Sequence, residues 1–301
     1  MTGPAVGRIS ARLVATVLLV VLPPLCAAAD QHPRADVPYV PTPPGVVDVM
    51  LKLANIGPRD FVVDLGSGDG RILIAAAKQH GARGYGVEID GALVNDARRE
   101  AGRQGVAGLV EFREENLFIT EISRASVLTL YLSSALMAGL RPRVIEELKP
   151  GTRVVSHDFD MENWRPDARV TVPVPGKPYG PPSSEVYLWI VPANAAGTWK
   201  WRAAGASAAA DSEIVISQTF QVLEGTVSAD GRPGRLEEGR VRGDEIRFIL
   251  TAGAGGKALR QEFSGRISGD TIIGKVRDGN GEHDWNATRT RRGSIRIDRD
   301  R

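Results

Sequence analysis

The chain is poorest in cysteine. Cys26 is the single thiol among 301 residues, which excludes an intramolecular disulfide framework and a cysteine-based metal site. Net charge is also scarce, because 38 Lys and Arg against 36 Asp and Glu leave only +2. The basic residues form no block, and the C-terminal series Arg289, Arg291, Arg292 and Arg296 is followed by Asp298 and Asp300. That distribution gives no electrostatic footprint for a nucleic-acid partner. The apolar run at 13–22 is too short to cross a bilayer as a helix. His283 and Asp284 are neighbours without further ligands nearby in sequence, so they read as a turn and no metal is expected.

The N-terminus reads as a targeting segment. Arg8 and Arg12 precede the apolar run, no acidic residue occurs before Asp30, Pro23 and Pro24 end the run, and three alanines follow at 27–29. Residues 1–29 are therefore expected to be a signal peptide or a short membrane anchor, with a mitochondrial presequence as the alternative. Cleavage before Asp30 would remove Cys26. A proline-rich arm at 30–45 follows, with Pro33, Pro38, Pro41, Pro43 and Pro44 excluding a helix there.

What the chain does have is a glycine turn between a strand and a helix. Phe61, Val62 and Val63 read as a buried strand, Gly66, Gly68 and Gly70 alternate after Asp64, and residues 71–78 read as a helix rich in Ala, Ile and Leu. Strand, glycine turn and helix form the nucleotide-binding corner of a doubly wound α/β sheet. A dinucleotide fingerprint would need its third glycine at the position of Arg71. Asp64, at the strand end, suits a ligand carrying a positive charge and an amino group better than a pyrophosphate. The pattern points to S-adenosylmethionine (SAM), with Asp64, Gly66, Ser67, Gly68 and Gly70 as its first binding residues.

The alternation continues. The second strand, at 84–90, ends in Glu88, roughly 20 residues past the turn, where an adenosine-binding α/β fold places its ribose carboxylate. Asp90 reads instead as the N-cap of a helix at 91–103. Asn116 follows the third strand at the place expected for recognition of the adenine amino group. Tyr39 is the aromatic expected over the cofactor mouth, or else a staple that ties the arm to the domain. Tyr131, after the fourth strand, and His157 and Asp158, after the fifth, lie at the substrate side and are the candidate catalytic residues. His157 is read either as a proton acceptor or as a strand-end cap. Residues 140–148 read as a helix with Pro142 in its first turn.

From Tyr39 to Val191 the ordered motifs Tyr-Val-Pro-Thr, Asp-Leu-Gly-Ser-Gly-Asp-Gly-Arg, Thr-Leu-Tyr-Leu and Lys-Pro-Gly-Thr-Arg-Val-Val-Ser-His occur together. The chain thereby resembles class I SAM-dependent methyltransferases. Within them it is similar to the lysine methyltransferases that act on the ATP synthase c subunit and the adenine nucleotide translocase, and to their bacterial relatives. The resemblance implies a Rossmann-like, seven-stranded sheet at 46–193, SAM as cofactor, and a membrane-associated protein substrate. It leaves a conflict, because an exported protein would leave the compartment in which SAM is made.

After Gly197 helical periodicity stops and short alternating runs appear between Gly, Asp and Asn turns. Residues 197–292 are expected to form a small antiparallel barrel or sandwich, with Gly243-Asp244 and Gly269-Asp270 as hairpin turns and 293–301 as a charged tail. The small, polar stretch at 192–197 reads as the domain boundary. A small-molecule methyltransferase, and a non-catalytic SAM-binding module working through its β domain, remain alternatives at this point.

Overall fold

The computed structural model describes residues 1–3, 39–202, 211–229, 232–252, 259–279 and 281–297. The expected leader at 1–29 and the start of the arm, up to residue 38, fall almost wholly outside those residues. Among the described residues no helix is long and apolar enough to cross a membrane.

The first half alternates α1 (Pro44–Leu53), β1 (Phe61–Leu65), α2 (Arg71–His80), β2 (Arg83–Glu88), α3 (Gly91–Arg103), β3 (Val110–Glu114), β4 (Val127–Leu130), α4 (Ser134–Glu147), β5 (Arg153–His157), β6 (Ala168–Pro173) and β7 (Ser183–Ile190). The strands form one seven-stranded sheet in the order β3-β2-β1-β4-β5-β7-β6. β7 is antiparallel to both β5 and β6, and the other pairings are parallel. The chain order reverses between β1 and β4, so a crevice opens past their C-terminal ends. Val62 and Val63 of β1, with Val127 and Leu128 of β4, are buried on both faces, which is why these strands read as unbroken apolar runs.

α4 begins six residues earlier than the sequence suggests and carries Pro142 in its interior. An interior proline costs roughly 3 kcal/mol. The burial of Met137, Leu140 and Val144 along the same helix offsets that cost.

The second half consists of β8 (Gly197–Arg202), β9 (Asp211–Thr219), β10 (Val222–Ala229), β11 (Arg232–Arg242), β12 (Glu245–Ala252), β13 (Leu259–Ser268), β14 (Thr271–Asp278) and β15 (Gly281–Arg292), with a short β16 (Ile295–Arg296) beside β9. Each of β8 to β15 pairs with the next, and β15 returns to β8, which closes an antiparallel barrel rather than a sandwich. Gly243 and Gly269 both have φ near +60°, and the pairs Arg242–Glu245 and Ser268–Thr271 close two-residue hairpins around them, as expected. The lumen is filled. Phe248 stacks on Phe263 at 4.9 Å between ring centres, and Trp285 meets Phe263 edge-on at the same separation.

The expected boundary at 192–197 is not an exposed linker. Ala193, Ala195 and Ala196 are buried, and the guanidinium of Arg289 donates to the carbonyls of Asn194 and Ala196. The residues are small because they are packed, not because they are loose. Phe220, which the sequence pattern places inside a strand, forms instead the β9–β10 turn with φ +48°. It belongs to the core of the seven-stranded half, where it stacks on Trp164 at 5.5 Å.

Candidate functional site

The glycine turn sits where β1 runs into α2. Gly66, Gly68 and Gly70 have φ of +75°, +52° and +78°. Any other residue would be strained in this left-handed region. A Cβ at Gly68 would lie 2.3 Å from the Tyr39 ring, and one at Gly70 would lie 2.5 Å from Phe112. The Gly66 and Ser67 amides both donate to the Val87 carbonyl at 2.9 Å, which ties the turn to β2.

Asp64 is 2% exposed. Its Oδ1 accepts from the Thr129 hydroxyl on β4 at 2.6 Å, and its Oδ2 is buried without a partner. Burial pushes the carboxyl up to about 7, the Thr129 bond opposes this, and the nearby Glu88 and Asp69 charges add to it. A half-satisfied buried carboxylate beside a turn that excludes side chains is a place for a cation with a donor to give. The residues present therefore fit the positively charged, amine-bearing cofactor that the turn suggests.

Glu88 ends β2. Its Oε2 accepts from the Gly68 amide at 3.0 Å, and its Oε1 accepts from the amides of Ile89 and Asp90. Asp90 caps α3 by accepting from the Ala92 amide at 2.8 Å. Asn116 closes a local turn, with its Oδ1 accepting from the Phe118 amide at 2.9 Å. Tyr39 is half-exposed and lies over Gly68, so the covering and the stapling readings describe one placement. The arm is fastened from the other side as well, because Arg71 pairs with Asp69 and donates to the Thr42 carbonyl at 3.0 Å.

At the ends of β4 and β5 the three candidate catalytic residues come together with different surroundings. The His157 ring is 1% exposed and tilts against the Tyr131 ring at 3.9 Å. Its Nδ1 bonds the Thr42 hydroxyl at 3.1 Å and its Nε2 the Ser184 hydroxyl at 2.8 Å. Desolvation lowers its pKa to about 4, against the opposing pull of Asp158. His157 is thus held as a neutral, doubly bonded ring beneath Tyr131, with the surroundings of a positioning residue rather than of an exposed base. Asp158 adopts φ +61°, stabilised by a reciprocal pair with Glu185 in which each residue's amide donates to the other residue. The loop between β6 and β7 covers this end. Its Lys177 pairs with Asp158 at 2.6 Å, and its Tyr179 hydroxyl contacts that of Tyr131.

Sequence reasoning gave no role to Thr42, Lys177, Tyr179 or Ser184. Only Thr42 had a signal, through its place in the Tyr-Val-Pro-Thr motif. The other three come from the β6–β7 hairpin, whose Pro- and Gly-rich loop carries no local sign of a site. Among the described residues no cluster of His, Cys, Asp or Glu is arranged to hold a metal ion.

The ANTKMT methyltransferase domain family matches residues 64–168. A protein-lysine N-methyltransferase of Saccharolobus islandicus is 40% identical over 156 residues, covering 52% of this chain and 94% of that protein. The lysine N-methyltransferase of the ATP synthase c subunit from Xenopus laevis is 36% identical over 163 residues, covering 54% of this chain and 70% of its own length. The solved structure of an RNA methyltransferase from Salinibacter ruber with S-adenosyl-L-homocysteine is 52% identical, covers 51% of this chain and 94% of that one, and has a TM-score of 0.47.

Proposed function

We propose that this chain, which belongs to the SAM-dependent protein-lysine N-methyltransferase family, methylates the side-chain amine of a lysine in a membrane-associated protein. The observation that carries the cofactor half is the buried Asp64 oxygen without a partner beside the three-glycine turn. The membrane half is supported by the ATP synthase enzyme among its relatives.

SAM, when bound, supplies the methyl group on a sulfonium. Asp64 would hold its amino group, the turn at Gly66, Ser67, Gly68 and Gly70 would admit it without a side chain in the way, and Glu88 would accept from the ribose hydroxyls. Asn116 would face the adenine amino group through whatever acceptor capacity its local turn leaves. Tyr39 would cover the mouth.

Little covalent work is left to the protein, so positioning dominates. His157 supports the Tyr131 ring from below, and Tyr131 and Asp158 flank the place where an acceptor amine would enter. Asp158 is the carboxylate to which an arriving ammonium can give its proton before attack. The barrel is a second, packed body fixed to the methyltransferase half through Phe220, and we assign it to substrate docking or to support of the fold.

The test is incubation of the full chain with methyl-labelled SAM and separated membrane and soluble fractions. Label in a discrete membrane protein band supports the reading. Label confined to the RNA or to the small-molecule extract overturns it.

A further inference from the structure

Lys177 is placed unlike an ordinary loop lysine. Its side chain is 7% exposed although the loop around it is open to solvent. Its ammonium lies 2.6 Å from Asp158 Oδ2, donates to the Ser183 carbonyl at 2.9 Å, and faces the Tyr179 ring at 5.6 Å from its centre. A carboxylate, a carbonyl and an aromatic face around one ammonium are the elements of a site for a primary amine. Tyr179 touches Tyr131, and Asp158 follows directly on β5, so this group of residues stands at the substrate end of the crevice.

We infer that Asp158, the Ser183 carbonyl and the Tyr179 ring form the binding subsite for the acceptor lysine's ammonium, occupied in the free protein by the chain's own Lys177, which the substrate lysine displaces. The inference rests on the protein-lysine methyltransferase reading. Three features favour it over a plain structural ion pair. A structural pair would not need an aromatic face. The lysine comes from a loop between two strands, which can withdraw it without breaking the sheet. The pair lies beside Tyr131, a residue already placed at the acceptor entrance.

An occupant on the same chain lowers the apparent affinity for an incoming lysine by the fraction of time the subsite is free. The probe is Nα-acetyl-lysine amide, titrated by calorimetry into the full chain without cofactor. Lys177→Met should bind it about tenfold more tightly than the unsubstituted chain, as expected if the subsite is free about one-tenth of the time. Adding Asp158→Asn to Lys177→Met should abolish that gain. Nα-acetyl-norleucine amide, which lacks the ammonium, should not bind either chain.

A second measurement needs no variant. Trace acylation read by mass spectrometry should find Lys177 slow in the free protein, and faster in the presence of saturating Nα-acetyl-Nε,Nε-dimethyllysine amide, which resists acylation itself. Equal or weaker lysine-amide binding by a folded Lys177→Met chain, or no gain in Lys177 acylation with the probe present, overturns the proposal. Either failure is distinct from failure of the functional reading, which would appear as absence of label transfer from SAM by the unsubstituted chain.

Discussion

The hydroxyl of Thr129 donates to the carboxylate of Asp64 across two adjacent parallel strands at 2.6 Å, and leaves the second carboxylate oxygen buried without a partner. One bond is enough to fix the carboxylate's orientation but not to keep it charged, and its pKa rises to about 7. The folded protein thus binds more protons than the unfolded chain between pH 4 and 7, so this group's contribution to stability falls as pH rises through that window. The loss approaches about 4 kcal/mol at pH 8 for a shift from 3.8 to about 7. Asp64→Asn keeps an acceptor for Thr129 and carries no charge. Without ligand it should match the unsubstituted chain at pH 4 and exceed its stability at pH 8. It should also bind SAM more weakly. His157, held near 4, shifts stability the opposite way between pH 4 and 6.5 in both chains, so the comparison is made between chains at each pH. Chemical denaturation at the two pH values checks it, and a less stable Asn variant at pH 8 would contradict the assignment.

Glu88 and Asp90 are two residues apart with separate tasks. Glu88→Ala should weaken SAM by about 1.5–3 kcal/mol, the range for hydrogen bonds to a charged group. Asp90→Ala should instead cost about 1 kcal/mol of stability through loss of the α3 cap, with cofactor affinity nearly unchanged. Paired calorimetric and thermal titrations separate the two, and the reverse ranking in affinity would show that the ribose carboxylate is Asp90.

How far the sequence carried the fold depends on how local each signal was. The glycine turn, the Asp90 cap and the two Gly-Asp hairpins are set by residues within a few positions of each other, and they stand where the sequence puts them. α4 was mis-started because Pro142 suggests a helix beginning, whereas packing of Met137 and Leu140 carries the helix through it. Phe220 was read as a strand residue because its neighbours alternate; its partner Trp164 lies 56 positions earlier in the chain, and no local pattern links the two. In the site, the contacts of Tyr131, His157 and Asp158 with Tyr179, Ser184 and Lys177 exist only once the β6–β7 hairpin folds back on β5. Strand-end position marked the first three, and nothing marked the others.

Gly68 and Tyr39 compete for one space. Gly68→Ala should be destabilising by about 1–2 kcal/mol from its positive φ, with a further cost from the Tyr39 ring it would strike. Tyr39→Ala removes the obstacle but not the backbone strain. The double variant should therefore be more stable than the sum of the single losses implies. Denaturant titration of the four chains measures this coupling, and simple additivity would mean that the ring moves aside without cost.

Phe220 fastens the barrel to the seven-stranded half through Trp164, and the Gln221 amide donates to the Arg165 carbonyl at 2.6 Å beside it. Phe220→Ala should destabilise the protein by about 3–5 kcal/mol, the range for a buried aromatic. A chain ending at residue 196 should lose stability for the same reason, because it uncovers Trp164. If Phe220→Ala leaves the unfolding of both halves unchanged, the two do not depend on this contact.

The central claim is methyl transfer from SAM to a lysine amine, and the chemistry of the labelled product tests it most directly. The full chain is incubated with methyl-labelled SAM and a membrane fraction, and the labelled acceptor is hydrolysed to amino acids and separated. The account predicts label in methylated lysines, lost when Gly68→Val replaces the unsubstituted chain. Label in methylated nucleosides, in an extractable small molecule, or in an amino acid other than lysine would contradict it.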